Sequence, residues 1–122
     1  MKRILLVDDE EDFGFFVKKN LEGRGEFTVE VCNDSLHAFE IAKQLKPDLI
    51  LLDILMPAKS GPVIAEELKN DAATKKIPFI FLTAVVQRSE TENSNNCIGG
   101  EYFIAKPVKV DELANIINRL AT

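Results

Sequence analysis

The chain has few of the groups that build soft metal centres. In 122 residues it holds one histidine, His37, and two cysteines, Cys32 and Cys97, which have no CxxC spacing and no histidine cluster beside them. That argues against a transition-metal site. The two thiols read as free, in a reducing and therefore cytoplasmic setting, and as small hydrophobes rather than a disulfide. No apolar run approaches the roughly 18 residues that a membrane-spanning helix needs. The first apolar run is short and leads straight into acids, unlike a secretory signal. Positive charge is scarce: 15 Lys and Arg against 20 Asp and Glu leave a formal net charge of −5. Nucleic-acid surfaces are usually basic, so direct nucleic-acid binding is not expected, and an anionic membrane is disfavoured. Internal repeats and low-complexity linkers are absent, and one domain over residues 1–122 is expected.

What is present is an alternation of short apolar runs and amphipathic segments. At 46% hydrophobic and 29% charged, the composition is that of an ordinary globular domain. Strands are expected at residues 3–7, 27–32, 48–53, 79–83 and 101–105. The runs at 3–7, 48–53 and 79–83 are rich in Ile, Leu, Val and Phe, as strands buried on both faces of a parallel sheet are. Helices are expected over 11–22, with Phe13, Phe16, Val17, Asn20 and Leu21 at helical spacing; from Asp34 or Ser35 to about Lys46, with Leu36, Phe39, Ile41, Ala42 and Leu45 inward; after Gly61 and Pro62; and from Val110 to Ala121, with Leu113, Ile116, Ile117 and Leu120 on one face. Residues 87–100, rich in Asn, Ser and Thr, read as a short or frayed surface helix. Five strands alternating with five helices predict right-handed crossovers and a doubly wound α/β sandwich.

Several apolar runs end on a reactive polar residue. ILLVDDE ends at Asp8, Asp9 and Glu10; LILLDILMP carries Asp53; FIFLTA carries Thr83; and FIAKP carries Lys106. Ligands of open α/β sheets bind beyond the carboxyl ends of the strands, so these residues are expected to converge. Asp8 and Asp9 facing Asp53 would repel one another unless a cation neutralised them. Mg²⁺ suits such a set, because it takes carboxylate and phosphate oxygens and keeps several waters. Asp53 is the candidate nucleophile for an acyl phosphate. Lys106 would offset phosphoryl charge and Thr83 would donate to a phosphoryl oxygen. Glu10, Glu11 and Asp12 read as the solvated first turn of a helix, where acids favour the positive end of its dipole. His37 reads as a surface residue.

Taken together, VDDE, LLDILMP followed by Gly61, FLTA and AKP resemble the receiver domains of two-component response regulators, over essentially the whole chain. The resemblance implies a flavodoxin-like parallel sheet in the order 2-1-3-4-5. It implies Asp53 as phosphoacceptor; Mg²⁺ held by Asp8, Asp9, Asp53 and the backbone carbonyl of Leu55, with Asp9 the favoured direct ligand; phosphoryl contacts from Thr83 and Lys106; and a cis bond before Pro107. Phe103, three residues before the lysine, takes the place of the switch aromatic that turns inward with Thr83. The implied partners are a histidine kinase or phosphotransfer protein as donor, and a downstream target on the face of the fourth helix, fifth strand and fifth helix. That face also allows a phosphorylation-dependent dimer. The interval from Thr83 to Lys106 is one residue longer than usual in the family, which weakens any transfer of partner geometry.

Leu55 and Val85 occupy the two positions that tune hydrolysis in such domains. Neither orients a water by hydrogen bonding, so slow self-dephosphorylation is expected and an enzyme is not. A phosphatase of the haloacid-dehalogenase type would need a second acid where Leu55 stands. A flavin or nucleotide carrier would need a phosphate loop where DDEEDF stands. A degenerate docking scaffold would have lost the reactive residues, which all remain. Whether the chain is a whole regulator or a receiver cut from a longer protein stays open.

Overall fold

An apolar run becomes a strand where helices can cover both its faces, and that is how this chain is built. The computed structural model describes residues 1–84, 97–98 (backbone only) and 101–121. Its strands are β1 (Lys2–Val7), β2 (Phe27–Cys32), β3 (Leu49–Asp53), β4 (Phe79–Thr83), β5 (Cys97–Ile98) and β6 (Glu101–Ala105). Its helices, among the described residues, are α1 (Glu11–Glu22), α2 (Ala38–Leu45), α3 (Gly61–Lys69) and α4 (Val110–Leu120). The sheet runs β2-β1-β3-β4-β6-β5. Its five longer strands are parallel in the expected order, β6 being the fifth of them. The two-residue β5 pairs antiparallel with β6 and was not foreseen. The helix expected over 87–100 lies outside the described residues, except at Cys97 and Ile98, which are extended.

Alternation along the strands sorts the core into two layers. Ile4, Leu6, Leu49, Leu51, Ile80, Leu82 and Ile104 pack with Val17 and Leu21 of α1 and with Leu113, Ile116 and Ile117 of α4. Leu5, Val7, Ile50, Leu52 and Phe81 pack with Ala38 and Ala42 of α2 and with Ile64, Ala65 and Leu68 of α3. Burying one such Leu or Ile side chain is worth about 2 kcal/mol.

Two expected inward faces are narrower than the spacing suggests. Phe16 and Asn20 are exposed; the buried side of α1 is Gly14, Val17 and Leu21, with Phe13 half-buried. Gly14 permits this, since a Cβ there would stand 2.8 Å from Val31 Cγ1. Leu36 is also exposed, because residues Ser35–His37 form a 3-10 turn before α2 begins. Asp34 caps that turn by accepting from the Leu36 N–H at 3.1 Å. Lys46, in the left-handed region at φ 50, ends α2 ahead of Pro47.

The outer strand β2 is tied to α1 by two side chains. Lys18 Nζ donates to the Val29 carbonyl at 2.6 Å, and Glu22 Oε2 accepts from the Val29 N–H at 2.9 Å. The Val29 N–H first, and then the Lys18 ammonium 3.3 Å from Glu22 Oε2, hold the Glu22 carboxyl below its ordinary range against desolvation. Among the described residues no helix is long and apolar enough to cross a membrane.

Candidate functional site

Strand register brings the predicted residues to one edge. Val7 pairs with Leu52 and Asp53 with Leu82, so Asp8 and Asp53 are side by side at the carboxyl ends of β1 and β3. Thr83 pairs with Ala105, and Lys106 follows directly, its N–H donating to the Thr83 carbonyl at 2.9 Å. Asp8, Asp53 and Thr83 are all buried.

Lys106 bridges the acids. Its Nζ lies 3.0 Å from Asp8 Oδ2, 3.3 Å from Glu10 Oε1 and 3.4 Å from Asp53 Oδ1, with the side chain only 15% exposed. The ammonium also sits over the Phe13 ring, 4.3 Å from its centroid. The bond from Lys106 to Pro107 is cis, as the resemblance implied.

The electrostatics follow from burial. Desolvation pushes the Asp8 carboxyl above its ordinary range, against the Glu10 N–H and Lys106, which favour its charged form. Asp53 is also pushed up, by burial first and then by the charges of Asp8 and Asp9, with Lys106 opposing. Burial alone would lower Lys106, but the hydrogen bond to Asp8 and the charges of Asp8 and Asp53 outweigh it and hold the ammonium above its usual range. The protein thus keeps two mutually repelling acids in place with one lysine.

Asp8, Glu10 and Asp53 bring carboxylate oxygens within 4.8 Å of one another. Three anionic oxygen donors fit a hard divalent cation. Asp9, the residue expected to ligate directly, is exposed and stands outside this trio. Glu10 stands within it. Its N–H donates to Asp8 Oδ1 at 2.9 Å, and this backbone turn brings its side chain to Lys106. Reading the acid run as a solvated turn missed Glu10; only its place directly after the strand-end pair marked it out. Asn33 was also missed. Its Nδ2 donates to the Asp8 carbonyl at 2.8 Å and so fixes the end of β1.

Leu55 lies in the loop after β3 and is 69% exposed. That loop is fastened at several points. The Gly61 N–H donates to the Ile54 carbonyl at 3.0 Å, and a Cβ on Gly61 would collide with the Asp53 carbonyl. The buried Ser35 accepts from the Lys59 N–H at 3.0 Å, and Lys59 Nζ pairs with both carboxylate oxygens of Glu67 at 2.9 and 3.0 Å. Phe103 is half-buried, its ring 5.4 Å from that of Phe81. His37 is exposed and pairs with Asp34 at 2.8 Å. Cys32 is a buried free thiol, pushed up mainly by desolvation. The side chain of Cys97, and Val85, lie outside the described residues.

A family model described as the response regulator receiver domain matches residues 4–118. The DNA-binding dual master transcriptional regulator RpaA of Synechocystis is 34% identical over 93% of this chain and 46% of its own length. The polar-differentiation response regulator DivK of Brucella anthropi is 32% identical over 95% of this chain and 93% of its own. Apart from relatives such as DivK, the chain spans about half the length of the first curated relatives it matches. The receiver domain of the Pseudomonas aeruginosa sensor histidine kinase PA1611, solved with a magnesium ion coordinated in its active site cleft, is 28% identical. It superposes with a TM-score of 0.81, covering 98% of this chain and 97% of that one.

Proposed function

This chain belongs to the response regulator receiver family, and from that premise we propose that it takes a phosphoryl group from a partner histidine kinase or phosphotransfer protein onto Asp53. The observation that carries the reading is the placement of Lys106 within 3.4 Å of both Asp8 and Asp53, at a strand end shared with Thr83.

The Asp53 carboxylate attacks phosphorus. An O–P bond forms, the P–N bond of a phosphohistidine breaks, and its electron pair goes to the imidazole nitrogen, which takes up a proton. The donor imidazole comes from outside, because His37 is the chain's one histidine and pairs with Asp34 on the surface. Mg²⁺, when bound, supplies the positive charge that lets a phosphoryl group approach three carboxylates. Asp8 and Glu10 would hold it together with Asp53, joined by the Leu55 carbonyl and by Asp9, whose charge already bears on Asp53. Lys106 offsets phosphoryl charge as a compact cation, and the Thr83 hydroxyl donates to a phosphoryl oxygen.

In this reading the chain is a cytoplasmic signalling phosphoacceptor and not a turnover enzyme. Thr83 and Phe103 form a two-state element biased by the new charge. It controls partner binding, or dimer formation, on the face that includes β6 and α4. Leu55 cannot aim a water at phosphorus, so the acyl phosphate decays slowly. Placing Asn at Leu55 and Glu at Val85 is expected to speed that decay; the same lifetime in the double variant would refute this explanation.

The test of the main reading is acetyl phosphate with Mg²⁺, read by intact mass. One phosphoryl adduct is expected, dependent on Mg²⁺ and absent in Asp53→Asn. An adduct that persists in the variant would overturn the assignment of Asp53.

A further inference from the structure

Lys106 has a neighbour that carries no charge. Phe13 stands on the first turn of α1, half-buried against the core layer that α1 and α4 cover. The adjacent Gly14 seats that helix close to β2. The ammonium lies over the Phe13 ring at 4.3 Å from its centroid, and oxygens of Asp8, Glu10 and Asp53 stand 3.0–3.4 Å from it. A cation over an aromatic face is attracted by the ring quadrupole. A fourth carboxylate there would add to the repulsion between Asp8 and Asp53. A water-filled gap would hydrate the ammonium and let it swing out. The ring does neither, and it holds the cation without competing for it as an anion would.

We propose that Phe13 is a positioning residue for Lys106: its ring face keeps the ammonium between Asp8 and Asp53 and gives it up to the incoming phosphoryl oxygen. The holding follows from geometry alone. The hand-over rests on the phosphoacceptor reading above.

The experiment uses the whole chain, labelled with ¹⁵N. Position 13 carries Phe, difluorophenylalanine, trifluorophenylalanine, Tyr or Leu, and each melting temperature is measured. Fluorination weakens the quadrupole while nearly keeping the shape of the ring. The first readout is exchange of the Lys106 ammonium protons with water, their signal identified by its loss in Lys106→Met. Exchange is expected to quicken stepwise with fluorination and most in Phe13→Leu, with Tyr restoring the wild-type rate, at little change in melting temperature across the ring series. A flat series would overturn the proposal. If Phe13→Leu does not fold, the fluorinated rings still decide. The second readout is the rate of adduct formation from acetyl phosphate. It is expected to fall in the same order by about three- to tenfold, the rate equivalent of an ordinary cation–π contact. Ordered exchange with an unchanged adduct rate would overturn the hand-over. Ordered exchange with no adduct even in wild type would refute the phosphoacceptor reading and leave the holding intact.

Discussion

The two halves of the site are built differently. Asp8 directly follows β1 and Asp53 ends β3; both strands have strands on each side, and both acids are buried. Short side chains on such strands cannot move apart, so their repulsion is locked in. Lys106 directly follows β6, further out in the sheet, and reaches back on a long stem to the two strand-end acids, to Glu10 just before α1 and to the Phe13 ring on α1. The negative half is fixed by the fold and the positive half is fixed by its contacts. A site of this kind can change its charge arrangement by moving one side chain and leaving the sheet alone.

The strongest way to break that arrangement is to remove the cation. Lys106→Met leaves Asp8 and Asp53 buried without a counter-charge. It is expected to cost about 3 kcal/mol in Mg²⁺-free buffer at neutral pH, the lower end of the range for breaking a buried ion pair, read by urea unfolding. Next is Gly61→Ala. Its Cβ must displace the backbone that carries Asp53, and overpacking of that kind costs about 2 kcal/mol. The Mg²⁺ concentration needed for adduct formation should rise alongside.

Removing an acid sharpens the contrast by reversing the sign. Asp53→Asn is expected to stabilise the metal-free protein by about 1 kcal/mol, the scale on which imperfectly compensated buried groups act. The pH dependence follows from the raised Asp8 and Asp53 carboxyls. Between the ordinary value of 3.8 and their raised values, the folded chain binds protons that the unfolded chain does not. Their contribution to stability is therefore full below 3.8 and lost as pH rises through the raised range. The advantage of Asp53→Asn should shrink as pH falls through that range, and Mg²⁺ affinity should weaken there as protons compete. Glu22, whose carboxyl is lowered, acts in the opposite sense: its contribution is present above 4.5 and fades as pH falls through the lowered value. An advantage of the Asn variant that does not vary with pH would contradict the burial argument. The smallest effect is Ser35→Ala, which takes the acceptor from the part-buried Lys59 N–H, at about 0.5 kcal/mol, again by urea unfolding.

Most of the fold was legible because buried parallel strands read as apolar runs that end abruptly on a polar residue. β2, β4 and β6 begin and end where the sequence placed them, and Asp8, Asp53, Thr83 and Lys106 meet as expected. The faces of α1 were less legible. Phe13, Phe15, Phe16 and Val17 satisfy more than one helical stripe, and the residue that decides the orientation, Gly14, carries no hydrophobic signal. Glu10 was hidden inside a run of like charges, where only the backbone turn at Asp8 singles it out. The contact of Phe13 with Lys106 joins opposite ends of the chain, and no local pattern reports it. β5 escaped because a strand of two residues leaves no periodicity to read.

The clasp of Lys18 and Glu22 on Val29 bears on how molecules of this chain meet one another. An outer strand of a sheet is a template on which a further strand can grow, in a neighbouring copy or a misfolded one. At the middle of β2 that template is already taken, its donor and acceptor both engaged by the molecule's own first helix. Sheet-to-sheet growth across β2 therefore has to displace an ion pair before it gains a hydrogen bond, and crowded copies are steered away from fibrous association along this edge.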